Sequence, residues 1–294
     1  MQQQGSADLD ALGVHRVDVG TGLPVVFMHG IGGDHHQMLE FGEATLGDLP
    51  GLRRIYVDLP GHGSSSGDGI GNAADVHRRM AAFVDRLGPR YALVGSSFGG
   101  GTARAVLARD PGRVAGMALF APVVYAQRAD RNLPAKGHRP ADPRWVLDLE
   151  PKHIVAEFRA VTHRPTTRNW DAFQRDIVPG SISGDRAAIK RVMDNYDFAA
   201  HPEDAFGTFD RPVLFVLGRE DPMVGWRDAI GLADSYSRAT YAVVEAGHNP
   251  FHEQREIAAA SLRGWAVAVL EAGTDDQARE AATRSRTAGT TSSA

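Results

Sequence analysis

The stretch that decides the fold is Tyr91-Ala-Leu-Val-Gly-Ser-Ser-Phe-Gly-Gly-Gly101. Its first four residues are apolar and predict a buried strand, and the glycines and serines after them predict a sharp turn. The next segment, Thr102–Arg109, has the composition of a helix. A strand, a tight turn and a helix form the context in which Gly-x-Ser-x-Gly predicts a nucleophilic serine at the apex of the turn. That serine is Ser97.

The pattern alone is weak, because it occurs a second time at Gly63-Ser-Ser-Ser-Gly67. This second match follows Asp58-Leu-Pro-Gly-His62, which is typical of a loop. Glycines and polar residues continue to Asn72, so no helix opens after it. The context therefore favours Ser97 as the nucleophile and gives the second match the role of a structural turn.

Composition excludes several classes of protein. The chain has 294 residues, of which 43% are hydrophobic, and a net charge of −4, which suits one large core with an inserted lid and gives no footprint for nucleic acid. The absence of cysteine excludes disulfides, thiolate metal sites and a cysteine nucleophile. Neither a signal-peptide pattern nor an apolar run of membrane-spanning length is seen. We expect a soluble cytoplasmic protein without a membrane partner.

Apolar runs alternate with helical segments along most of the chain, which predicts an α/β fold with a mostly parallel central sheet and helices on both faces. The predicted strands are Leu23–Met28, Arg54–Asp58, Tyr91–Val94, Val114–Phe120, Pro212–Leu217 and Thr240–Glu245. Residues 13–122 and 208–272 form the predicted core. The segment 123–207 shows no strong strand and predicts a helical cap, and 273–294 predicts a disordered tail.

Three side chains for nucleophilic catalysis follow strand ends, where loops of a parallel sheet meet. A serine hydroxyl needs a base, and an imidazolium needs an anion to orient it. Ser97, Asp221 and His248 supply these groups in the order that is typical of an α/β sheet. Glu220 competes with Asp221 for the acid, and His252 competes with His248 for the base.

The same edge of the sheet offers a site for a developing oxyanion. The backbone N–H of Phe98 directly follows the nucleophile, and a second N–H is expected from the loop His29-Gly30-Ile31, where Ile31 is the favoured residue. His29, Gly30, Trp145 and Trp170 are the candidates for the wall of the substrate pocket. The aromatic and aliphatic residues of the cap predict a largely apolar pocket.

No metal or cofactor is predicted. His35 and His36 are adjacent, so their side chains diverge, and no His-Glu-x-x-His pattern or acidic cluster accompanies them. The glycines of Gly30-Ile-Gly-Gly33 lack both the dinucleotide spacing and the lysine-hydroxyl pair of a phosphate loop. The expected partner is a small-molecule substrate, and a monomer and a homodimer both stay open.

These motifs together resemble the α/β-hydrolase superfamily over residues 13–272. The resemblance rests on the loop at His29-Gly30, the loop from Asp58 to Ser64, the elbow at Gly95–Gly100, Gly218-Arg-Glu-Asp221 and Gly247-His248. It implies the superfamily's fold, with an inserted helical cap in 123–207. Serine at position 97 argues against the haloalkane dehalogenases and epoxide hydrolases, which have aspartate there.

The resemblance implies a serine hydrolase that cleaves an ester or lactone through an acyl-enzyme. Meta-cleavage-product hydrolases are an alternative, although they usually carry tryptophan where this chain has Asn249. An aminopeptidase like the proline iminopeptidases would need cap carboxylates such as Glu150, Glu157 or Glu203 to hold an ammonium group. Cofactor-free haloperoxidases share the same triad. A non-catalytic receptor is disfavoured because binding alone does not need a triad.

Overall fold

A computed structural model describes residues 9–135, 142–198 and 201–290, with side chains described as far as 274. Seven strands form one sheet in the order β1-β3-β2-β4-β5-β6-β7. They are β1 Arg16–Gly20, β2 Leu23–Met28, β3 Leu52–Val57, β4 Tyr91–Ser96, β5 Val114–Phe120, β6 Val213–Gly218 and β7 Ala239–Val244. Strand β1 is antiparallel to β3, and all other pairs are parallel. The predicted mostly parallel α/β sheet is confirmed.

The helices of the described residues alternate with the strands, apart from a helical stretch between β5 and β6. They are α1 His36–Leu46, α2 Ala73–Asp85, α3 Phe98–Arg109, α4 Arg144–Leu147, α5 Lys152–Val161, α6 Thr167–Asp176, α7 Val178–Ile182, α8 Arg186–Asp194, α9 Arg227–Ile230, α10 Pro250–Glu253 and α11 Arg255–Thr290.

Both faces of the sheet are covered, as the apolar strands require. Alternate residues of β2 enter different cores: Val26 and Met28 pack with the side chains of α2 and α3, whereas Val25 and Phe27 pack with those of α1 and α11. Every residue of β4 is buried. Burial on both faces explains why the central strands are apolar throughout and why sequence alone locates them well.

Helices α4 to α8 lie between β5 and β6 in the chain, in the segment predicted to form the cap. They hold a small apolar cluster of their own, which includes Phe158, Trp170 and Phe173. The predicted limits of the cap at 123 and 207 stay predictions.

The C-terminal segment differs from the predicted disordered tail. Helix α11 continues past Gly273 to Thr290, and only residues 291–294 of the predicted tail lie outside the described residues. Alanine and arginine together make up seven of residues 273–290. These residues have high helix propensity, and extending an existing helix needs no new nucleus. Among the described residues, none of the helices combines the length and the apolar character that crossing a bilayer requires.

Candidate active site

Ser97 lies at the apex of the turn between β4 and α3. Its φ of +52° is in the left-handed region, which a serine adopts only under strain. The chain passes so close to itself here that a Cβ on Gly95 would lie 2.4 Å from the carbonyl oxygen of Gly99. A Cβ on Gly99 would lie 2.2 Å from the carbonyl oxygen of Met28. The two glycines of the pattern are therefore required by close packing of backbone on backbone.

His248 and Asp221 form a buried pair beside this turn. The Nδ1–H of His248 donates to Oδ2 of Asp221 across 2.8 Å, and Asp221 is fully buried. The other carboxylate oxygen of Asp221 accepts the backbone N–H groups of Met223, at 2.7 Å, and Val224, at 3.1 Å. These bonds fix the carboxylate and leave Nε2 of His248 as the ring nitrogen available to another group.

The two competing residues have other surroundings. His252 donates through Nε2 to Oδ2 of Asp176 across 3.0 Å, in a buried contact between α10 and α6. Glu220 directly precedes Asp221, but it is Asp221 whose carboxylate meets the imidazole. The structure thus brings together His248 and Asp221, the pair that the sequence favoured.

The glycine-rich loop after β2 approaches Ser97 closely. A Cβ on Gly30 would lie 3.3 Å from Cβ of Ser97. The N–H of Gly30 donates to Oε1 of Gln37 across 2.6 Å. In the described part of the chain, the backbone N–H groups of Ile31 and Phe98 have no acceptor. Phe98 opens α3, where the first N–H groups of a helix lack partners within the helix. These two groups are the ones expected to bind an oxyanion.

His29 lies beneath the loop and not on the wall of the cavity, contrary to its predicted place among the pocket residues. Its Nδ1–H donates to the carbonyl oxygen of Gly30 at 2.7 Å, and its Nε2 accepts from the N–H of Leu59 at 2.8 Å. Complete burial lowers the pKa of His29 to about 3, with the charge of His62 adding to the effect. His29 is therefore a neutral residue that holds the loop in place.

Asp58 stabilises the same loop from the next strand end. Its carboxylate accepts from the N–H and Nδ1–H of His35 and from the N–H of Ser64. Burial alone would raise the pKa of Asp58, but the bonds from His35 and Ser64 outweigh it and the pKa falls to about 2. Ser65, in the second Gly-x-Ser-x-Gly match, donates its hydroxyl to the Asp58 carbonyl and thus has a structural role.

Two groups of side chains in the described residues have ligand atoms close enough to hold a metal ion. They are His15, His35 and Asp58, and Asp34, His35 and His36, with ligand atoms within 4.8 Å of one another. The Nδ1 of His35 is bonded to Asp58 and that of His36 to Asp34. An ion would have to displace these hydrogen bonds, so we interpret both groups as loop contacts.

A cavity of about 520 Å³ lies over Ser97. Its described lining is Gly30, Ile31, Gln37, Ser97, Val123, Ala126, Gln127, Arg128, Arg131, Glu157, Ala160, Val161, Phe173, Ile177, Met193, Tyr196, Met223, Val224, His248 and Asn249. Of the predicted pocket residues, Gly30 is on the wall. Ser97 and His248 share this wall, and side chains of α5, α6 and α8 close it from the other side.

Trp145 and Trp170 do not line the cavity, contrary to prediction. Trp170 packs edge-on against Phe158 with ring centroids 5.1 Å apart, and Trp145 packs against the same cluster of cap residues. The helices α5 and α6 are amphipathic, and their largest side chains gain most by burying one another. Of the aromatic residues of this segment, both tryptophans thus belong to a small core, whereas Phe173 and Tyr196 line the cavity.

The comparison with known families agrees with this geometry. A family model described as "alpha/beta hydrolase fold" matches residues 24–254, which include Ser97, Asp221 and His248. The chain belongs to the alpha/beta hydrolase fold family. The predicted superfamily is confirmed, and with it the prediction that the protein is a hydrolase.

Individual relatives of this α/β-hydrolase are more distant. It is 27% identical over 248 residues to a 2-succinyl-6-hydroxy-2,4-cyclohexadiene-1-carboxylate synthase of Escherichia coli K12, covering 82% of the chain and 93% of the relative. An alpha/beta superfamily hydrolase from Oenococcus oeni PSU-1 is similar in structure, with a TM-score of 0.79 at 24% identity, covering 88% and 97% of the two chains. A thermophilic esterase from Thermogutta terrifontis has a TM-score of 0.67 at 23% identity, covering 87% and 93%.

Several residues around the site of this α/β-hydrolase have no signal in the sequence. Gln37 holds the Gly30 amide, and Glu253 accepts backbone N–H groups beside His248. Arg128, Arg131 and Tyr196 line the cavity. Each reaches the site through tertiary packing of a helix or of the segment between β5 and β6, so neither spacing nor composition points to it.

Proposed function

We propose that this α/β-hydrolase cleaves a carboxylic ester or lactone with Ser97 as the nucleophile, His248 as the base and Asp221 as the acid of a triad. The observation that carries the proposal is the buried hydrogen bond of 2.8 Å between His248 and Asp221, with His248 and Ser97 on the wall of one cavity. A serine on a strained turn and an imidazole with a fixed tautomer are the parts that such a reaction needs.

In the proposed reaction, Oγ of Ser97 attacks the carbonyl carbon while its proton passes to Nε2 of His248. Asp221 stabilises the resulting imidazolium through Nδ1–H. The carbonyl oxygen becomes an oxyanion that accepts hydrogen bonds from the backbone N–H groups of Ile31 and Phe98. Collapse breaks the bond to the leaving oxygen, which takes the proton from His248. Water, deprotonated by His248, then attacks the acyl-enzyme and releases the acid and the free serine.

The cavity supports a substrate of moderate size. Its volume of about 520 Å³ lies within the usual range for small-molecule sites, roughly 300–1,000 Å³. Apolar side chains such as Val123, Phe173, Ile177 and Val224 make up much of its wall. The fold shared with the Thermogutta terrifontis esterase agrees with ester chemistry.

Of the three carboxylates proposed to bind the ammonium group of an aminopeptidase substrate, one lies on the cavity wall. Glu203 is 3% exposed and forms a buried ion pair with Arg104, so it is unable to hold a substrate ammonium group. Glu150 does not belong to the cavity wall, whereas Glu157 does. The positive charge that an aminopeptidase substrate carries would also meet the two arginines of the same wall.

A second candidate reaction follows from sequence similarity. The Escherichia coli relative is named a synthase that forms 2-succinyl-6-hydroxy-2,4-cyclohexadiene-1-carboxylate, and the match covers 93% of its length. Formation of that product from its precursor is a direct assay. The carbon–carbon hydrolase alternative is assayed in the same way with a ring-cleavage dienoate.

The test is a panel of 4-nitrophenyl esters from acetate to laurate with wild type, Ser97→Ala and Ser96→Ala. Ser96 is the matched control, because its buried hydroxyl has no hydrogen-bond partner among the described residues. We expect Ser97→Ala to lower kcat by about 10³-fold or more and Ser96→Ala to retain activity. A fluorophosphonate should phosphonylate wild type with loss of hydrogen fluoride, adding the mass of the phosphonyl group, and should leave Ser97→Ala unmodified. Equal rates for wild type and Ser97→Ala would overturn the proposal.

A further inference from the structure

The cavity wall carries an arginine that is held in place without an anionic partner. Arg131 follows β5 and is half-buried. Its Nε donates to the Tyr125 carbonyl at 2.9 Å, Nη1 to that of Met223 at 2.9 Å and Nη2 to that of Ala126 at 2.7 Å. A guanidinium has five N–H donors, so one N–H on each terminal nitrogen is left over. Neutral carbonyls orient this charge but do not neutralise it.

A second arginine stands beside the first. Arg128 is exposed and lines the same cavity, and its side chain has no hydrogen bond or ion pair among the described residues. Burial lowers the pKa of the Arg131 guanidinium, and the positive charge of Arg128 lowers it further. Tyr196, Asp221 and Asp228 act in the opposite direction on this pKa, but burial outweighs them.

The carboxylates near Arg131 form hydrogen bonds with other groups or lie apart from it. Asp221 binds His248 and two backbone N–H groups. Asp228 accepts the backbone N–H of Asn132. Glu157, the carboxylate of the described cavity wall, is exposed on α5 and also borders a neighbouring cavity that Arg131 does not reach. Among the described residues, none of these carboxylates accepts a hydrogen bond from Arg128 or Arg131, and we call the part of the cavity wall that holds these two arginines the positive end.

We propose that this positive end binds a carboxylate of the substrate, so that the preferred ester or lactone carries an acidic group separated from the scissile bond by an apolar spacer. The inference rests on the proposed function for the identity of the scissile bond. A planar guanidinium with a free N–H on each terminal nitrogen can donate one hydrogen bond to each oxygen of a carboxylate. Val123 donates its N–H to the Ser97 carbonyl, and Val224 directly follows Met223, whose carbonyl binds Arg131. The two valines belong to one apolar cluster on the cavity wall and suit a hydrocarbon spacer.

The first experiment compares two esters that differ in charge and hardly in shape. Mono-4-nitrophenyl adipate carries a free carboxylate, and its methyl-capped form does not. We expect wild type to favour the free acid by about tenfold or more in kcat/KM, the usual worth of a charged hydrogen bond. Arg128→Gln and Arg131→Gln should each reduce this preference at least fivefold. Arg144→Gln, which removes an exposed cap charge from outside the cavity wall, should leave both values unchanged.

The second experiment measures binding without turnover. Adipate is titrated into wild type and into both arginine variants by calorimetry, at low and at high salt. We expect binding to wild type that weakens with salt and falls about tenfold in each variant. This measurement decides the inference even if no ester is cleaved, which would overturn only the proposed function.

Three results would overturn the inference. One is equal kcat/KM for the acid and its methyl ester in wild type. Another is equal losses on both esters in Arg128→Gln and Arg131→Gln. The last is preference for an ester with a terminal ammonium, which would assign specificity to Glu157 instead.

Discussion

His248 donates its backbone N–H to the carbonyl oxygen of Val161 across 2.7 Å. The turn that carries the proposed base is thus bonded to the last residue of α5, in the segment predicted to form the cap. The approach is so close that a Cβ on Gly247 would lie 2.3 Å from the same oxygen. The position of His248 depends on this segment as well as on the sheet.

Glu253 reinforces this contact, and its substitution should slow catalysis. Its carboxylate accepts the N–H of Gly247 at 2.7 Å, that of His163 at 3.0 Å and that of Arg164 at 2.8 Å. Glu253→Gln would turn an NH2 group toward these donors. We expect kcat on a good ester to fall about tenfold with little change in KM, because the base is displaced while the pocket keeps its wall.

The matched control for this prediction is Glu256→Gln. Glu256 is an exposed residue whose ion pair with Arg168 lies at the surface, and kcat should stay at the wild-type value. If Glu253→Gln lowers the thermal midpoint but leaves kcat and its pH profile unchanged, Glu253 stabilises the fold without positioning His248.

The parts of the site that sequence predicted share one physical cause. Ser97 and Asp221 follow the buried parallel strands β4 and β6, and His248 follows the parallel edge strand β7. Apolar parallel strands are readable in a sequence, and the loops after them converge. The tight turn at Ser97 also needs glycines at fixed positions. The sequence patterns of strands and turns are therefore sufficient to predict that these residues converge, and no information about side-chain packing is needed.

The parts that sequence missed depend on which faces of the helices meet. Trp170 and Phe158 bury each other, although apolar residues in a cap could equally have lined a pocket. Arg131 is held at the cavity wall by hydrogen bonds to three backbone carbonyls, and one of these belongs to Met223, which is 92 residues away in the sequence. The C-terminal segment differs for another reason: helix α11 continues to Thr290, and extending an existing helix is less costly than nucleating a new one.

Asp221→Asn should nearly abolish activity. Oδ2 of Asp221 accepts from His248 and Oδ1 accepts from two backbone N–H groups, so an asparagine must turn its NH2 group toward one set of donors. The imidazole then loses its preferred tautomer, and kcat should fall by up to about 10⁴-fold, the loss seen for the same change in chymotrypsin-like triads. Steady-state rates decide this. Glu220→Gln is the neighbouring control, and a comparable loss there would contradict the assignment of the acid.

The ion pair between Arg104 and Glu203 should be a sensitive point for stability. Nε and Nη2 of Arg104 donate to the two oxygens of Glu203 at 2.6 and 2.8 Å, and both residues are buried. Arg104→Met leaves the carboxylate buried with the hydroxyl of Tyr236 as a donor. We expect the free energy of unfolding to fall by about 3–5 kcal/mol.

Urea denaturation measures this loss, and the double variant Arg104→Met with Glu203→Gln tests its cause. Removing the charge of Glu203 should recover part of the stability, because the penalty arises from an unpaired buried carboxylate. A double variant that is less stable than Arg104→Met by the full cost of a second substitution would point to lost packing instead.

The pair of His35 and Asp58 should make stability depend on pH. The hydrogen bond that His35 donates to the carboxylate of Asp58 raises the pKa of His35 above its ordinary value of 6.5. A base whose pKa is higher in the folded than in the unfolded protein stabilises the fold fully below the unfolded pKa. That contribution is lost as pH rises through the folded pKa. The carboxylate of Asp58, with a pKa of about 2, stays charged over this range.

We therefore expect His35→Gln to lower the thermal midpoint more at pH 5.5 than at pH 9. His36→Gln is the control, since His36 is more exposed and pairs with Asp34 at the longer distance of 3.0 Å, and its effect should vary less with pH. An equal effect of His35→Gln at both values would mean that His35 is neutral in the folded protein throughout. In that case neutral hydrogen bonds from His35 and to Gln37 would hold the loop that contains Ile31. The rate of ester hydrolysis by wild type and by His35→Gln should then change with pH in the same way.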